Sequence, residues 1–304
     1  MIEKNIKLEI ELDGGIGNQL FMFYAGLFFG QTLEKEVVFN TSKLSRVAKL
    51  HPGYNLNTLG MLQGHEIVNQ KATGILAHPK AIKIQNAYSR TSPLRNRQKD
   101  HYTFKSPNLG FIESSLIPNE TTRISGYFQT YKYFCNLQEK PILSTSLINN
   151  TSKWYQEKAK ENREKKPVGV HIRRGDYLLR KNRKIGVISF SYYRSAIEEV
   201  ANREPVWIFT DSPNQVSEEF KYLGDGVEVM RPPSSSDPIE SLLLLSMSPK
   251  IIISNSTFSW WAAQLAQDRT EVYAPNKWFQ FASDPVDLMP EFWNKIESKW
   301  ESGR

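Results

Sequence analysis

Apolar and polar positions alternate at the start of the chain, where Glu9 and Glu11 separate Leu8, Ile10 and Leu12. This period of two predicts a strand over 8–12 with one buried face. A glycine turn follows at Gly14, Gly15 and Gly17, after which apolar residues recur at helical spacing through Leu27 and Phe28. Further strands are predicted over 37–39 and 122–128, and a charged helix over 154–165 that ends before Pro167. From residue 168 the rhythm becomes regular. Short apolar runs rich in β-branched residues predict strands over 168–172, 206–210, 227–230, 251–254 and 272–274. Helical segments over 191–201, 213–222, 237–247 and 257–267 separate them. Strands alternating with helices of this length make a parallel, doubly wound sheet, because parallel neighbours need crossover connections.

The pattern divides the chain into an N-terminal Rossmann-like α/β domain over 1–160, a C-terminal one over 161–280, and a closing tail over 281–304, with helix expected between Trp278 and Trp300. Residues 41–118 carry scattered Pro, Gly and Asn without a clear period and read as an irregular insertion on the acceptor side. His51, His65, His78 and His101 lie far apart in and around it, without metal-ligand spacing.

Composition narrows the function classes. The chain has 304 residues and one cysteine, Cys135, which excludes an internal disulfide framework and cysteine-rich metal sites. No apolar run reaches the roughly 18 to 20 residues of a membrane span, and the stretch after Gly15 lacks a signal peptide's basic head. A cytoplasmic protein is expected. The net charge of +7 is dispersed along the chain, which argues against nucleic acid and for an anionic substrate or a loose, peripheral attachment to a membrane surface.

Candidate chemistry gathers where predicted strands end, the rim at which open α/β sheets bind ligands. His171, Arg173, Arg174 and Asp176 follow the strand over 168–172. Arginine suits phosphate because its planar fork donates two parallel hydrogen bonds and keeps its charge, so Arg173 and Arg174 are candidates for a diphosphate. A solvated strand end would look the same. After the strand over 206–210, Asp211 is free to point into the crevice while Ser212 reads as a helix cap. Asp237, Pro238 and Glu240 form a capping box, although a carboxylate there could also accept two hydrogen bonds from the Watson–Crick edge of guanine. Ser254, Asn255, Ser256, Thr257 and Ser259 supply more polar groups than a cap requires and suit a phosphate at a strand-to-helix junction. Near the N-terminus, Gly15, Gly17, Asn18 and Gln19 lead into a helix, but Leu20 stands where the dinucleotide fingerprint has its third glycine.

Taken together these segments resemble the inverting α-1,2-fucosyltransferases. The resemblance rests on the run from Gly14 to Phe21, on Gly126 to Gln129 with Lys132 to Phe134, on His171 to Tyr177, and on Asp237 to Glu240 with Ser254 to Trp261. It implies a GT-B arrangement, two Rossmann-like domains facing each other across a cleft, with GDP-fucose held mainly by the C-terminal one and no metal or other cofactor required. It further implies Arg173 on the β-phosphate, His171 on the nucleotide, and Glu240 with the turn from Ser254 to Ser259 around GDP. Asn18 and its glycines would close the cleft from the other domain.

The expected reaction transfers L-fucose with inversion to a galactose-terminated glycan, in the synthesis of a surface glycan such as O-antigen or capsule. Asp176 between two arginines is expected to orient them rather than to act as the base. The rivals are a transferase with the same donor and another linkage or acceptor, and a non-catalytic protein that binds carbohydrate or nucleic acid. Asn255, Ser256 and Thr257 also spell a glycosylation sequon inside the proposed phosphate turn, which fits a cytoplasmic setting.

Overall fold

A computed structural model describes residues 7–44, 56, 61–68, 102–137, 151–266 and 269–302. His51, His78, His101 and most of the expected insertion over 41–118 lie outside the described residues. Two parallel sheets organise the chain. The N-terminal sheet contains β1 (Leu8–Glu11), β2 (Val37–Asn40), β3 (Glu66–Val68), β4 (Thr103–Lys105) and β5 (Arg123–Ser125), in the spatial order β3-β2-β1-β5-β4. Every pairing within it is parallel. Between β1 and β2 runs α1 (Ile16–Thr32), and α2 (Lys132–Cys135) follows β5.

The chain then forms α3 (Lys153–Lys165), β6 (Val168–Ile172), α4 (Phe190–Val200), β7 (Val206–Thr210), α5 (Pro213–Phe220), β8 (Val227–Val229), α6 (Pro238–Ser246), β9 (Lys250–Ile252), α7 (Thr257–Gln264), β10 (Glu271–Pro275) and β11 (Asn294–Ile296). The second sheet has the order β11-β10-β9-β6-β7-β8, again wholly parallel. Strands β6, β7 and β8 step outward to one edge, and β9, β10 and β11 step outward to the other. This is the doubly wound Rossmann order, and it leaves a crevice between β6 and β9 where successive connections diverge. In the N-terminal sheet the corresponding place lies between β1 and β5. The fold is therefore GT-B-like, with two Rossmann-like domains meeting across a cleft. Residue 160, where the sequence reading divides the chain, lies inside α3.

What joins the two domains is a helix pair. Buried residues fall on all sides of α1, because it is covered by its own sheet and by α7. Phe21 lies 4.5 Å from the Trp260 ring and 5.0 Å from Trp261, and Tyr24 stacks on Trp261 at 5.0 Å. These rings belong to one apolar core that runs without a break from β1 to β10. At the closest approach a Cβ on Gly17 would drive into the Thr257 backbone carbonyl, so only glycine lets the helix ends meet.

The segment expected as a helical tail folds otherwise. Its only regular element among the described residues is β11, which extends the second sheet beside β10, and Trp300 bridges to Ile188. Pro285 and Pro290 cannot donate the hydrogen bonds a continuous helix needs. Its apolar residues bury one at a time instead, Trp293 against Trp260 at 5.6 Å and Leu288 in the core. The segment also ties the domains together. The Asp287 carbonyl accepts from the Thr130 hydroxyl at 2.9 Å, and the Asp287 carboxylate pairs with Lys132 at 2.7 Å.

Candidate active site

Arg173 is the first residue past β6, and two carboxylates fix its guanidinium. Nη2 donates to Asp176 Oδ1 at 2.6 Å, and Nη1 lies 3.1 Å from Asp211 Oδ2. Asp211 is itself held, because its Oδ1 accepts the Arg174 backbone N–H at 2.9 Å. Gly175 makes room for that carboxylate, which a Cβ there would strike. Burial works against the charge on Arg173, but Asp211 and Asp176 outweigh it and hold its pKa above the ordinary value. The Tyr177 ring closes one side, 5.5 Å from the guanidinium carbon. Its hydroxyl donates to the Asn255 carbonyl at 3.2 Å, and burial raises its pKa to about 12.

Two adjoining cavities share Arg173 and Phe258. One of about 110 Å³ is lined from the N-terminal side by Gly15, Gly17 and Asn18 and from the other side by Asp176, Ser256 and Thr257. Both helix starts that border it, those of α1 and α7, present backbone N–H groups and the positive ends of their dipoles. At α1 the N-cap is Gly15, which has no side chain to occupy those groups. With Arg173 between them, the space suits a diphosphate. Asn18 is positioned by Gln129, whose Nε2 donates to its Oδ1 at 3.1 Å.

The other cavity, of about 150 Å³, lies over the ends of β6, β7 and β8, with His171, Phe209, Thr210, Asp211, Met230 and Ser236 in its wall. His171 is buried, its Nδ1 is 2.9 Å from Ser254 Oγ, and its ring stacks on Phe258 at 5.2 Å. Burial first, and then the neighbouring Arg173 charge, lower its pKa to about 3. The imidazole is neutral near pH 7, so it can offer a hydrogen bond but no charge.

Of the residues singled out in the sequence, His171, Arg173, Asp176, Asp211, Gly15, Gly17, Asn18, Ser256 and Thr257 come together around these cavities. Arg174, Glu240, Asn255, Ser259 and Gln19 line neither cavity, and their side chains are engaged elsewhere. Arg174 is only 2% exposed; its Nη1 pairs with Glu301 at 2.8 Å, and its guanidinium lies 4.3 Å from the Phe190 ring centre.

Glu240 accepts from the Ser152 backbone N–H at 2.5 Å and from the Ser152 hydroxyl at 2.6 Å, which anchors the start of α3. Asn255 donates its amide to the Gly186 and Trp278 carbonyls, both at 3.2 Å. The Ser259 hydroxyl turns back to the Ser256 carbonyl at 3.1 Å, as helical hydroxyls commonly do. Gln19 bridges the Gly14 carbonyl at 2.8 Å and the Leu56 N–H at 3.2 Å. Asp237 caps α6 through the Ile239 N–H at 3.0 Å.

Phe258, Met230 and Ser236 also line the nucleoside-side cavity, and none of them stood out in the sequence as a candidate. Met230 stands directly after β8, so the strand-end rule that found Asp211 would also have found it.

Among the described residues, no three His, Cys, Asp or Glu side chains cluster as they would around a metal ion. Likewise, no helix is long and apolar enough to cross a membrane.

Known proteins share this chain's pattern. An α-1,2-colitosyltransferase of Escherichia coli is 27% identical over 310 residues, covering 94% of this chain and 97% of the relative. A galactoside 2-α-L-fucosyltransferase of Caenorhabditis elegans is 27% identical over 315 residues, covering 93% and 77%. Among solved structures, fucosyltransferase NodZ from Bradyrhizobium superposes with a TM-score of 0.45 at 14% identity, covering 86% of this chain and 93% of NodZ. Residues 8–297 match the family model described as glycosyl transferase family 11, so the match takes in both sheets, the Arg173 strand end and the glycine turn opposite it. The chain belongs to glycosyl transferase family 11, the family of the α-1,2-fucosyltransferases, and is a glycosyltransferase.

Proposed function

We propose that the protein is a galactoside α-1,2-fucosyltransferase, moving L-fucose from GDP-fucose to a galactose hydroxyl with inversion. The carrying observation is Arg173, held by Asp176 and Asp211 at the junction of both cavities. As the glycosidic bond to the diphosphate breaks, negative charge grows on the β-phosphate. A guanidinium already oriented stabilises that charge more in the transition state than in the ground state, which is the condition for raising turnover. The starts of α1 and α7 add backbone N–H groups to the same site. Together these donors take the part a divalent cation plays elsewhere, so the reaction runs without metal.

In this reading the nucleoside occupies the cavity walled by His171 and Phe258. Asp176 orients Arg173 through their short ion pair. The relatives' names support the sugar and the linkage. A third relative, the O-antigen biosynthesis glycosyltransferase WbnK of Escherichia coli, is 32% identical over 37% of this chain and fits a role in surface-glycan assembly at the cytoplasmic side of a membrane.

The colitosyltransferase relative, aligned over 94% of this chain, favours a second reading. Colitose is fucose without its 3-hydroxyl, and a site shaped for one accepts the other unless it tests that hydroxyl. Initial rates with GDP-fucose and GDP-colitose on a galactoside panel, with EDTA present and linkage read by NMR, separate the two. An α-1,2-linked fucose formed in EDTA is the expected product. Turnover of GDP-colitose alone would replace the first reading with the second, and dependence on added metal would overturn the role given to Arg173.

A further inference from the structure

Behind Tyr177 lies a larger cavity that the donor chemistry leaves unused. It measures about 460 Å³, within the range of small-molecule sites, and Arg180, Arg183, Leu179, Val187, Gln280 and Glu301 form much of its wall. Tyr177 lines the diphosphate-side cavity and this one too, so the two adjoin at that residue. Arg180 opens a short 3₁₀ turn, Arg180–Asn182, and Arg183 follows three residues later. Residues three apart on a 3₁₀ turn eclipse one another, which brings both guanidiniums to one side. The turn is anchored to the active-site loop, because Asn182 Nδ2 donates to the Asp176 carbonyl at 2.8 Å.

The cavity's charge is one-sided. Neither the Arg180 nor the Arg183 guanidinium has a hydrogen-bond or ion-pair partner among the described residues. Glu301, the one carboxylate in the wall, is committed to Arg174 at 2.8 Å. Two unpaired planar forks select a carboxylate or a phosphate. Leu179 and Val187 offer apolar surface to the C–H face of a sugar ring, and Gln280 offers an amide to its hydroxyls.

We infer that this cavity holds the acceptor residue next to the reacting galactose, and that it selects acceptors carrying a carboxylate or phosphate on that residue. The inference rests on the transferase reading above and adds the acceptor class to it. Leu179 and Phe281 are exposed near Lys181 and Lys184, so an anionic membrane is the competing occupant. The walled cavity favours a glycan, since a bilayer needs a convex surface rather than a recess.

The test uses three galactosides that differ only in the neighbouring residue: a neutral hexose, the matching uronic acid, and the hexose phosphate. Calorimetric binding to the GDP-loaded enzyme and kcat/KM with GDP-fucose are compared for the wild type and for the double variant Arg180→Gln with Arg183→Gln, after checking that its Tm is retained. At low salt the wild type should prefer at least one acidic acceptor by about tenfold, the scale of one partly exposed charge-assisted contact. The acid and phosphate arms identify which source is used, and the double variant should bring the preference close to one. Equal binding of all three, or a preference that survives the double substitution, overturns the inference. So does loss of anionic-vesicle binding in the variant without any change in acceptor preference. If no fucose is transferred to any acceptor while arginine-dependent binding of the acidic galactoside persists, the GDP-fucose reading fails and only the cavity's selection of an acidic glycan stands. Transfer to all three without preference leaves the transferase reading standing and removes the cavity assignment.

Discussion

Replacing Arg173 with alanine tests the centre of the mechanism. The guanidinium contacts Asp176 at 2.6 Å and Asp211 at 3.1 Å, and its side chain is 18% exposed. At an effective dielectric of about 20, a unit charge about 5 Å from a diphosphate oxygen contributes roughly 3 kcal/mol. Losing one preorganised donor to a developing oxyanion costs a similar amount, about 10² to 10³ in kcat. The alanine variant also leaves two carboxylates unpaired beside the donor, so its loss should fall at or above the upper end of that range. Arg173→Lys keeps a charge but loses the two-pronged contact, and should recover part of the rate. Initial rates at saturating GDP-fucose and galactoside, with GDP binding followed by thermal shift, separate catalysis from folding. An alanine variant within about threefold of wild-type kcat, measured where chemistry limits the rate, would falsify the assignment of Arg173 to the leaving group.

Three further outcomes follow from the same geometry. Gly17→Ala should lower Tm by several degrees and reduce activity, because overpacking typically costs 1–3 kcal/mol and the new methyl meets the Thr257 carbonyl where the domains join; calorimetry showing an unchanged Tm would contradict that contact. Glu240→Gln keeps one oxygen to accept from Ser152 but turns the other acceptor into an amide donor, and should destabilise the fold by about 1–3 kcal/mol with GDP affinity held within about twofold. A large loss of GDP affinity at unchanged stability would place Glu240 at the nucleotide site. For His171, the folded pKa of about 3 lies below the unfolded value of 6.5, so between them the unfolded chain carries the extra proton. Its contribution to stability is therefore complete above 6.5 and falls by about 1.4 kcal/mol per pH unit below that. His171→Gln should flatten the stability curve between about pH 4 and 6.5, and parallel curves for the two proteins would argue that the imidazole is solvated.

Strand and helix order was legible because it depends on local periodicity. The alternation at Leu8, Ile10 and Leu12 and the regular spacing after residue 168 reflect which faces must be buried, and that is written residue by residue. The same spacing put His171, Arg173, Asp211 and Ser256 at strand ends, and parallel strands with crossover helices bring such ends to one rim. The family resemblance likewise depended on short contiguous motifs.

Tertiary structure decided which way each polar side chain turned. Arg173 and Arg174 have the same chemistry in sequence; they separate because Glu301, 127 residues away, and Phe190 take the second guanidinium. Glu240 satisfied a local capping pattern, yet its partner proved to be Ser152, 88 residues earlier. The tail from Trp278 has apolar residues without a period, and only the open edge of β10 turns part of it into a strand. A side chain's direction past the end of an element is set by whichever distant group best satisfies its charge or hydrogen bonds. That group is near in space and remote in sequence, so no local pattern records it.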